Sequence, residues 1–203
     1  RASANSISAK SAAETLMKLV ILDRDGVINE DSDEYIKSVG EWQPIPGSLE
    51  AIARLCQAGY RVFIASNQSG IGRGLFDYDA LFAMNDRLQK LVGELGGRID
   101  GMEFAPEAPE QATDMRKPNP GMLKDLARRL QLNLEDVCFV GDKGDDIEAA
   151  RAAGARPVLV RSGRGSRTEK MHNLAGVPVF KDLAAFASAF IAAGGKASAL
   201  AAA

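Results

Sequence analysis

Short apolar runs that stop abruptly at acidic or small polar residues recur along this chain, and that pattern limits its fold most tightly. The first run is Lys18-Leu19-Val20-Ile21-Leu22-Asp23-Arg24-Asp25-Gly26-Val27, four apolar residues ending at two aspartates two positions apart. An uninterrupted apolar run of that length fits a strand covered on both faces, as in parallel sheets. Open α/β sheets place their ligand sites at the carboxyl ends of such strands. Side chains at i and i+2 of extended backbone point the same way, so Asp23 and Asp25 both face the crevice if the strand geometry persists. Two carboxylates so placed call for a cation or a shared proton.

Helical patterns separate the runs. Ser48 is a plausible N-cap for a helix through Ala58, with Gly59 as its stop. Arg61 to Ser66 reads as the second strand, and Asp77 to Leu95 carries a helical period in Leu81, Met84, Leu88, Leu91 and Val92. A short strand near Met102 to Ala105 precedes an irregular loop, and Pro120 to Leu130 reads as a helix. Then follow a strand at Val137 to Asp142, a helix at Asp145 to Ala153, strands at Pro157 to Arg161 and Val177 to Phe180, and a helix at Asp182 to Ala192. This alternation predicts a doubly wound, Rossmann-like parallel α/β sheet with right-handed crossovers.

The 203 residues suit a single domain. The predicted domain is 17–192, flanked by a disordered extension at 1–16 and a fraying tail at 193–203. A net charge of −2, from 25 basic and 27 acidic residues, argues against nucleic acid and anionic membranes as partners. No apolar stretch is long enough to span a bilayer. Cys56 and Cys138 sit in apolar patterns and read as free thiols, which fits a cytoplasmic location.

Two further strand ends repeat the first. One is Ser66-Asn67-Gln68-Ser69-Gly70, whose hydroxyls and turn N–H groups form an anion nest. The other is Gly141-Asp142, followed by Lys143, Asp145 and Asp146. Between them, Arg116-Lys117-Pro118-Asn119-Pro120-Gly121 puts two cations before a helix start, a setting that favours a phosphate-like ligand. Asp23 and Asp142 are hard oxygen ligands suited to Mg²⁺. Ser66 and Lys117 would hold phosphoryl oxygens, Asp23 would attack phosphorus, and Asp25 would serve as acid and then base.

Asp23-x-Asp25, Ser66, Lys117 and Gly141-Asp142-x-x-x-Asp146, in that order, resemble the haloacid dehalogenase (HAD) superfamily of aspartate-nucleophile phosphatases over about residues 17–170. Asp23 to Asn29, Ser66 to Gly74, Arg116 to Met122 and Val140 to Lys143 are similar to the heptose-bisphosphate phosphatases within it, and histidinol-phosphate phosphatases share much of this pattern. The resemblance implies a HAD core with loops in place of a large cap. Those loops fall at about Glu30 to Pro46, Gly70 to Phe76 and Ala105 to Arg116. It implies Asp23, Asp25, Ser66 and Lys117 as catalytic residues, and Asp23, Asp25 and Asp142 as magnesium ligands with Asp146 supporting. Asn67, Arg73, Arg116 and Lys143 would contact substrate. The expected reaction removes the 7-phosphate of a heptose 1,7-bisphosphate in lipopolysaccharide-core heptose synthesis. The expected partner is thus a small phosphorylated sugar, and the chain is expected to be monomeric. A histidinol-phosphate or broad small-molecule phosphatase is the alternative, and a catalytically silent binding protein is the alternative of another class.

One departure stands out. Relatives carry a zinc loop of Cys-x-His and Cys-x-Cys before the Arg-Lys-Pro, but the corresponding positions here are Ala105, Glu107, Thr113 and Met115. Zinc needs about four donors, so no structural zinc is expected. His172, the only histidine, lies past the last motif and reads as non-catalytic. Trp42 reads as a packing anchor. Arg161, Arg164 and Arg167, with Gly163 and Gly165, read as a solvated loop with no helix after it.

Overall fold

The structure is a computed structural model describing residues 18–200. The extension expected at 1–16, the start at Met17 and the last residues of the tail, 201–203, lie outside the described residues. Six strands form one parallel sheet: β1 (Leu19–Leu22), β2 (Arg61–Asn67), β3 (Gly101–Ala105), β4 (Cys138–Gly141), β5 (Arg156–Val160) and β6 (Val179–Phe180). Their order is β3-β2-β1-β4-β5-β6. The chain winds outward from β1 through β2 and β3, then crosses back to β4 and winds the other way. The direction reverses at β1 and β4, and a crevice opens beyond the carboxyl ends of strands at such a point.

Helices cover both faces. They are α1 (Ser48–Gln57), α2 (Ser69–Gly72), α3 (Tyr78–Glu94), α4 (Gly121–Leu130), α5 (Gly144–Ala153), α6 (Gly165–Met171) and α7 (Leu183–Ala192). Strand β1 alternates between two cores, as a period of two requires. Val20 and Leu22 pack with Ile52 and Leu55 of α1, Met84 and Leu88 of α3, and Phe186 and Phe190 of α7. Leu19 and Ile21 pack with Leu123 and Leu126 of α4 and Ala149 and Ala150 of α5. Trp42 is fully buried in the first core with Arg87 over its ring, the packing role expected of it.

Several boundaries differ from the sequence reading for local reasons. Ser48 does not cap α1. Gly47 takes the cap position in a left-handed conformation, and the Ser48 hydroxyl donates to the Ile28 carbonyl at 2.6 Å. Asp77 and Asp182 each fall one residue before their helices and cap them, accepting from Ala80 N and Ala185 N. The arginine- and glycine-rich stretch expected to be a solvated loop runs into α6, and Arg161 pairs with Glu169 of that helix at 2.7 Å. The tail expected to fray forms a turn at Ala197–Ala199, and Ala197 and Leu200 join the first core as apolar residues at its end. Both cysteines are free, Cys138 buried and Cys56 partly so. No helix among the described residues is long and apolar enough to cross a membrane.

Candidate active site

Asp23 directly follows β1, and its N–H donates to the Val140 carbonyl of β4 at 2.8 Å, extending the pairing one residue past the strand. The register sets Leu22 beside Val140, so Asp23 and Asp142 leave adjacent strands side by side. Lys117 reaches the same place from the loop before α4. Its Nζ lies 2.9 Å from Asp23 Oδ1 and 2.7 Å from Asp146 Oδ1, and donates to the Ala65 carbonyl at 2.8 Å. All three side chains are almost completely buried. Burial works against the charge on Lys117, but Asp146 and Asp23 outweigh it and hold the ammonium above its ordinary range.

Asn67, expected to touch substrate, lines the cavity above these groups and also holds Lys117. Its Nδ2 donates to the Lys117 carbonyl at 2.8 Å and its Oδ1 accepts the Lys117 N–H at 3.0 Å. Asn67 therefore aims Lys117 by gripping the backbone of the following motif.

Asp142 sits in a cradle that only glycines leave open. A Cβ on Gly26 (φ +91°) would fall 2.1 Å from Asp142 Oδ2, and one on Gly163 would fall 2.3 Å from the same atom. The Arg164 N–H donates to that oxygen at 2.7 Å, and the Thr168 hydroxyl donates to the Asp142 carbonyl at 2.7 Å. Burial pushes the Asp142 carboxyl up to about 7, with Lys143 opposing and Asp146 and Asp23 adding to the rise. Burial likewise raises Asp23, against Lys117.

Asp146, at the start of α5, has both oxygens in use. Oδ1 meets Lys117, while Oδ2 accepts the Asp142 N–H at 3.1 Å and the Lys143 N–H at 2.9 Å. Gly141 makes this approach possible, since a Cβ there would lie 2.2 Å from Asp146 Cβ. Asp146 thus steadies Lys117 and the β4–α5 turn.

Asp25 faces the same cavity but keeps different company. The Arg24 guanidinium bridges both of its oxygens at 3.0 and 3.1 Å, Asn29 Nδ2 donates to Oδ1 at 2.8 Å, and Gln68 Nε2 donates to Oδ2 at 2.8 Å. Burial raises its pKa, but Arg24, Asn29, Lys143 and Gln68 overcome that and hold the carboxyl below its ordinary value. The carboxylate expected among the metal ligands is therefore occupied by its neighbours. The Asp25 main-chain oxygen instead faces Lys143 Nζ at 3.2 Å. Sequence reasoning passed over Arg24, Asn29 and Gln68. The available signal was an arginine inside an otherwise buried strand end, which must find a partner.

Ser66 ends β2 with its hydroxyl oxygen accepting from Gln68 Nε2 at 2.9 Å. A cavity of about 360 Å³ opens over these groups, lined by Asp23, Asp25, Ser66, Lys117, Lys143 and Arg116 among others. All three loops expected to form it contribute, through Asp31 and Tyr35, Phe76, and Pro109. Arg116 stands at its edge and donates to the Glu107 carbonyl at 2.8 Å. Arg73, expected near substrate, turns instead to Glu110 at 3.2 Å and does not line the cavity. In the loop without zinc-ligand residues, the Thr113 hydroxyl bonds Glu107, Asn119 donates to the Thr113 carbonyl, and Arg116 ties down Glu107. The His172 ring packs against Gly144, where a Cβ would meet it at 2.1 Å.

Carboxylate oxygens of Asp23, Asp142 and Asp146 lie within 4.8 Å of one another, all buried. The donor set is all oxygen, burial raises the Asp23 and Asp142 carboxyls, and two glycines leave Asp142 open. That environment fits a small, hard divalent cation held by few protein groups.

This arrangement of acids and a lysine on a parallel sheet defines a HAD-type hydrolase, and the HAD-hydrolase-like family model matches residues 114–186. A protein of Pseudomonas putida named D-glycero-beta-D-manno-heptose-1,7-bisphosphate 7-phosphatase is 52% identical over 179 residues, spanning 86% of this chain and 100% of its own length. Its namesake in Pseudomonas aeruginosa is 51% identical over 85% of this chain and 97% of its own length. The crystal structure of D,D-heptose 1,7-bisphosphate phosphatase from B. bronchiseptica, complexed with magnesium and phosphate, superposes with a TM-score of 0.86. It is 46% identical, covering 87% of this chain and 99% of that one. The chain belongs to this heptose-bisphosphate phosphatase family of the HAD superfamily.

Proposed function

We propose that this protein removes the 7-phosphate of D-glycero-β-D-manno-heptose 1,7-bisphosphate, working in the cytoplasm on heptose destined for lipopolysaccharide. The observation that carries the reading is the buried Asp23–Lys117–Asp146 chain beside Asp142, at the mouth of a cavity walled by loops. The names of the Pseudomonas relatives supply the sugar, its phosphate position and its anomer.

Asp23 is the nucleophile. Lys117 pairs with Oδ1 and the Arg24 N–H donates to the same oxygen at 2.7 Å, which fixes the carboxylate in place for attack on phosphorus. A phosphorus–oxygen bond forms to Asp23 as the bond to the sugar oxygen breaks. Asp25 gives the departing alkoxide its proton, then takes one from the water that cleaves the aspartyl phosphate. An ionised Asp25 is the form this second step needs, and Arg24 and its neighbours favour that form. For the first step Asp25 must arrive protonated, and the incoming phosphate dianion favours that state by like-charge repulsion. Ser66 and Lys117 bind the phosphoryl oxygens through preorganised donors.

The oxygens suited to hold magnesium are those of the Asp23 and Asp142 side chains and the Asp25 main chain. The bound ion would neutralise charge on the transferring phosphoryl group. Arg116 and Lys143 are the cations on the cavity wall available to the second phosphate.

The test is phosphate release from heptose 1,7-bisphosphate of each anomer, histidinol phosphate and several hexose phosphates, with Mg²⁺ or with EDTA. The expected result is Mg²⁺-dependent release that prefers the β-anomer and disappears in Asp23→Asn. Equal turnover across the panel would overturn the heptose assignment.

A further inference from the structure

The Lys143 ammonium stands among the oxygens proposed above for magnesium. Its Nζ lies 3.2 Å from Asp142 Oδ1, 3.2 Å from the Asp25 main-chain oxygen and 3.9 Å from Asp23 Oδ2. A fourth oxygen, Asp31 Oδ2 from the cavity wall, is 3.2 Å away. The first three belong to the ends of β1 and β4 and converge on one point.

Magnesium draws its oxygens in to about 2.0–2.1 Å and dehydrates reluctantly. An ammonium that hydrogen-bonds two of these oxygens and stands 3.9 Å from the third fills the volume the ion and its waters need. The two cations therefore exclude each other. Lys143 has somewhere to go, since its side chain is 31% exposed and lines the cavity near Arg116, Asp145 and Arg164.

We propose that Lys143 and the divalent cation contend for one seat, so that entry of the ion turns the Lys143 ammonium out into the cavity. The inference rests on the magnesium reading of Asp23 and Asp142. It makes Lys143 a built-in counter-ion that keeps the carboxylates paired until the ion arrives, and only then frees a positive charge for an anion. Cation and anion binding are coupled as a result, each strengthening the other by the same factor.

The test is calorimetric titration of MgCl₂ into the full chain, Lys143→Met and Arg164→Gln. Arg164 is the control for charge alone, because its guanidinium pairs with Asp31 at 2.9 Å and Asp33 at 2.8 Å in the same cavity. Lys143→Met is expected to bind Mg²⁺ at least about tenfold more tightly than the parent, a modest share of the repulsion of a unit charge at this range. Arg164→Gln is expected to gain much less. In the parent protein labelled with ¹⁵N-lysine, the Lys143 Nζ resonance should shift on Mg²⁺ addition, a readout that needs no variant to fold. Equal or weaker binding by Lys143→Met, an equal gain in Arg164→Gln, or an unmoved Nζ resonance at saturating Mg²⁺ would each overturn the shared seat. Binding to none of the three proteins would overturn the magnesium reading itself, and this inference with it.

Discussion

Lys117 stands between two buried carboxylates, and its ammonium is the main positive charge they share. Removing one partner from a buried ionic cluster leaves the others uncompensated, which costs about 3–5 kcal/mol. Lys117→Met is therefore expected to lower stability by roughly that amount in urea unfolding, with loss of turnover. Asp23→Asn should differ, because burial already disfavours the charge on Asp23. Its unfolding midpoint should match or exceed the parent's while phosphate release is lost. Asp142 governs a pH response. Its carboxyl is pushed up to about 7, so the folded chain holds a proton that the unfolded chain would release. The stability this group contributes is complete below its unfolded pKa of about 3.9 and drains away as pH rises through the folded value. Without divalent ions, the parent should lose stability between about pH 4 and about pH 7 more steeply than Asp142→Asn, as read from urea midpoints at each pH.

The turns that carry these residues have their own requirements. Gly26 adopts φ +91° and lies against Asp142, so Gly26→Ala meets both backbone strain and a collision with the carboxylate. That variant should lose Mg²⁺-induced thermal stabilisation as well as turnover, both measurable in one melting series with and without the ion. Asp77 shows the contrasting case of an element remote from the chemistry. Its side chain accepts the Ala80 N–H at 2.9 Å and closes the first turn of α3. Asp77→Ala should cost about 1 kcal/mol in unfolding free energy and leave turnover on the preferred substrate intact. The strands, most helices and the positions of Asp23, Ser66 and Asp142 at strand ends were legible beforehand. Apolar runs and helical periods are properties of consecutive residues. Ser48 misled because its hydroxyl chose the Ile28 carbonyl, 20 residues away, over its own helix. The helix after Gly165 was hidden because Gly, Ser and Arg carry no apolar period there.

The whole molecule holds its loops over the strand ends with Ala105, Glu107, Thr113 and Met115 at the positions where the resemblance implies zinc ligands. Hydrogen bonds among Glu107, Thr113, Arg116 and Asn119 tie the 105–119 segment instead. A zinc-selective chelator is expected to leave the melting temperature unchanged, and elemental analysis of protein purified without added metal should find well under one zinc per chain. A fall in melting temperature on chelation would overturn that expectation. The tail adds to the same economy of packing, with Ala197 and Leu200 buried in the first core.

Runs of consecutive residues already encoded a parallel sheet, its order of strands and helices, and a set of acids and a lysine at the strand ends suited to phosphoryl transfer. Those features depend on apolar runs and on side-chain chemistry, both of which are written locally. Which acid keeps which company was decided only on folding. Gln68 reaches Arg24 across 44 residues, and Arg164 meets Asp142 across 22. Asn67 takes the backbone of Lys117 across 50 residues while it also lines the cavity, a bracing role added to the expected substrate contact. Such pairings follow from the register of β1 against β2 and β4, and from which glycines leave room for a carboxylate. Neither leaves a periodic trace in the chain, because the free energy of a buried charge depends on neighbours that are close in space and distant in sequence.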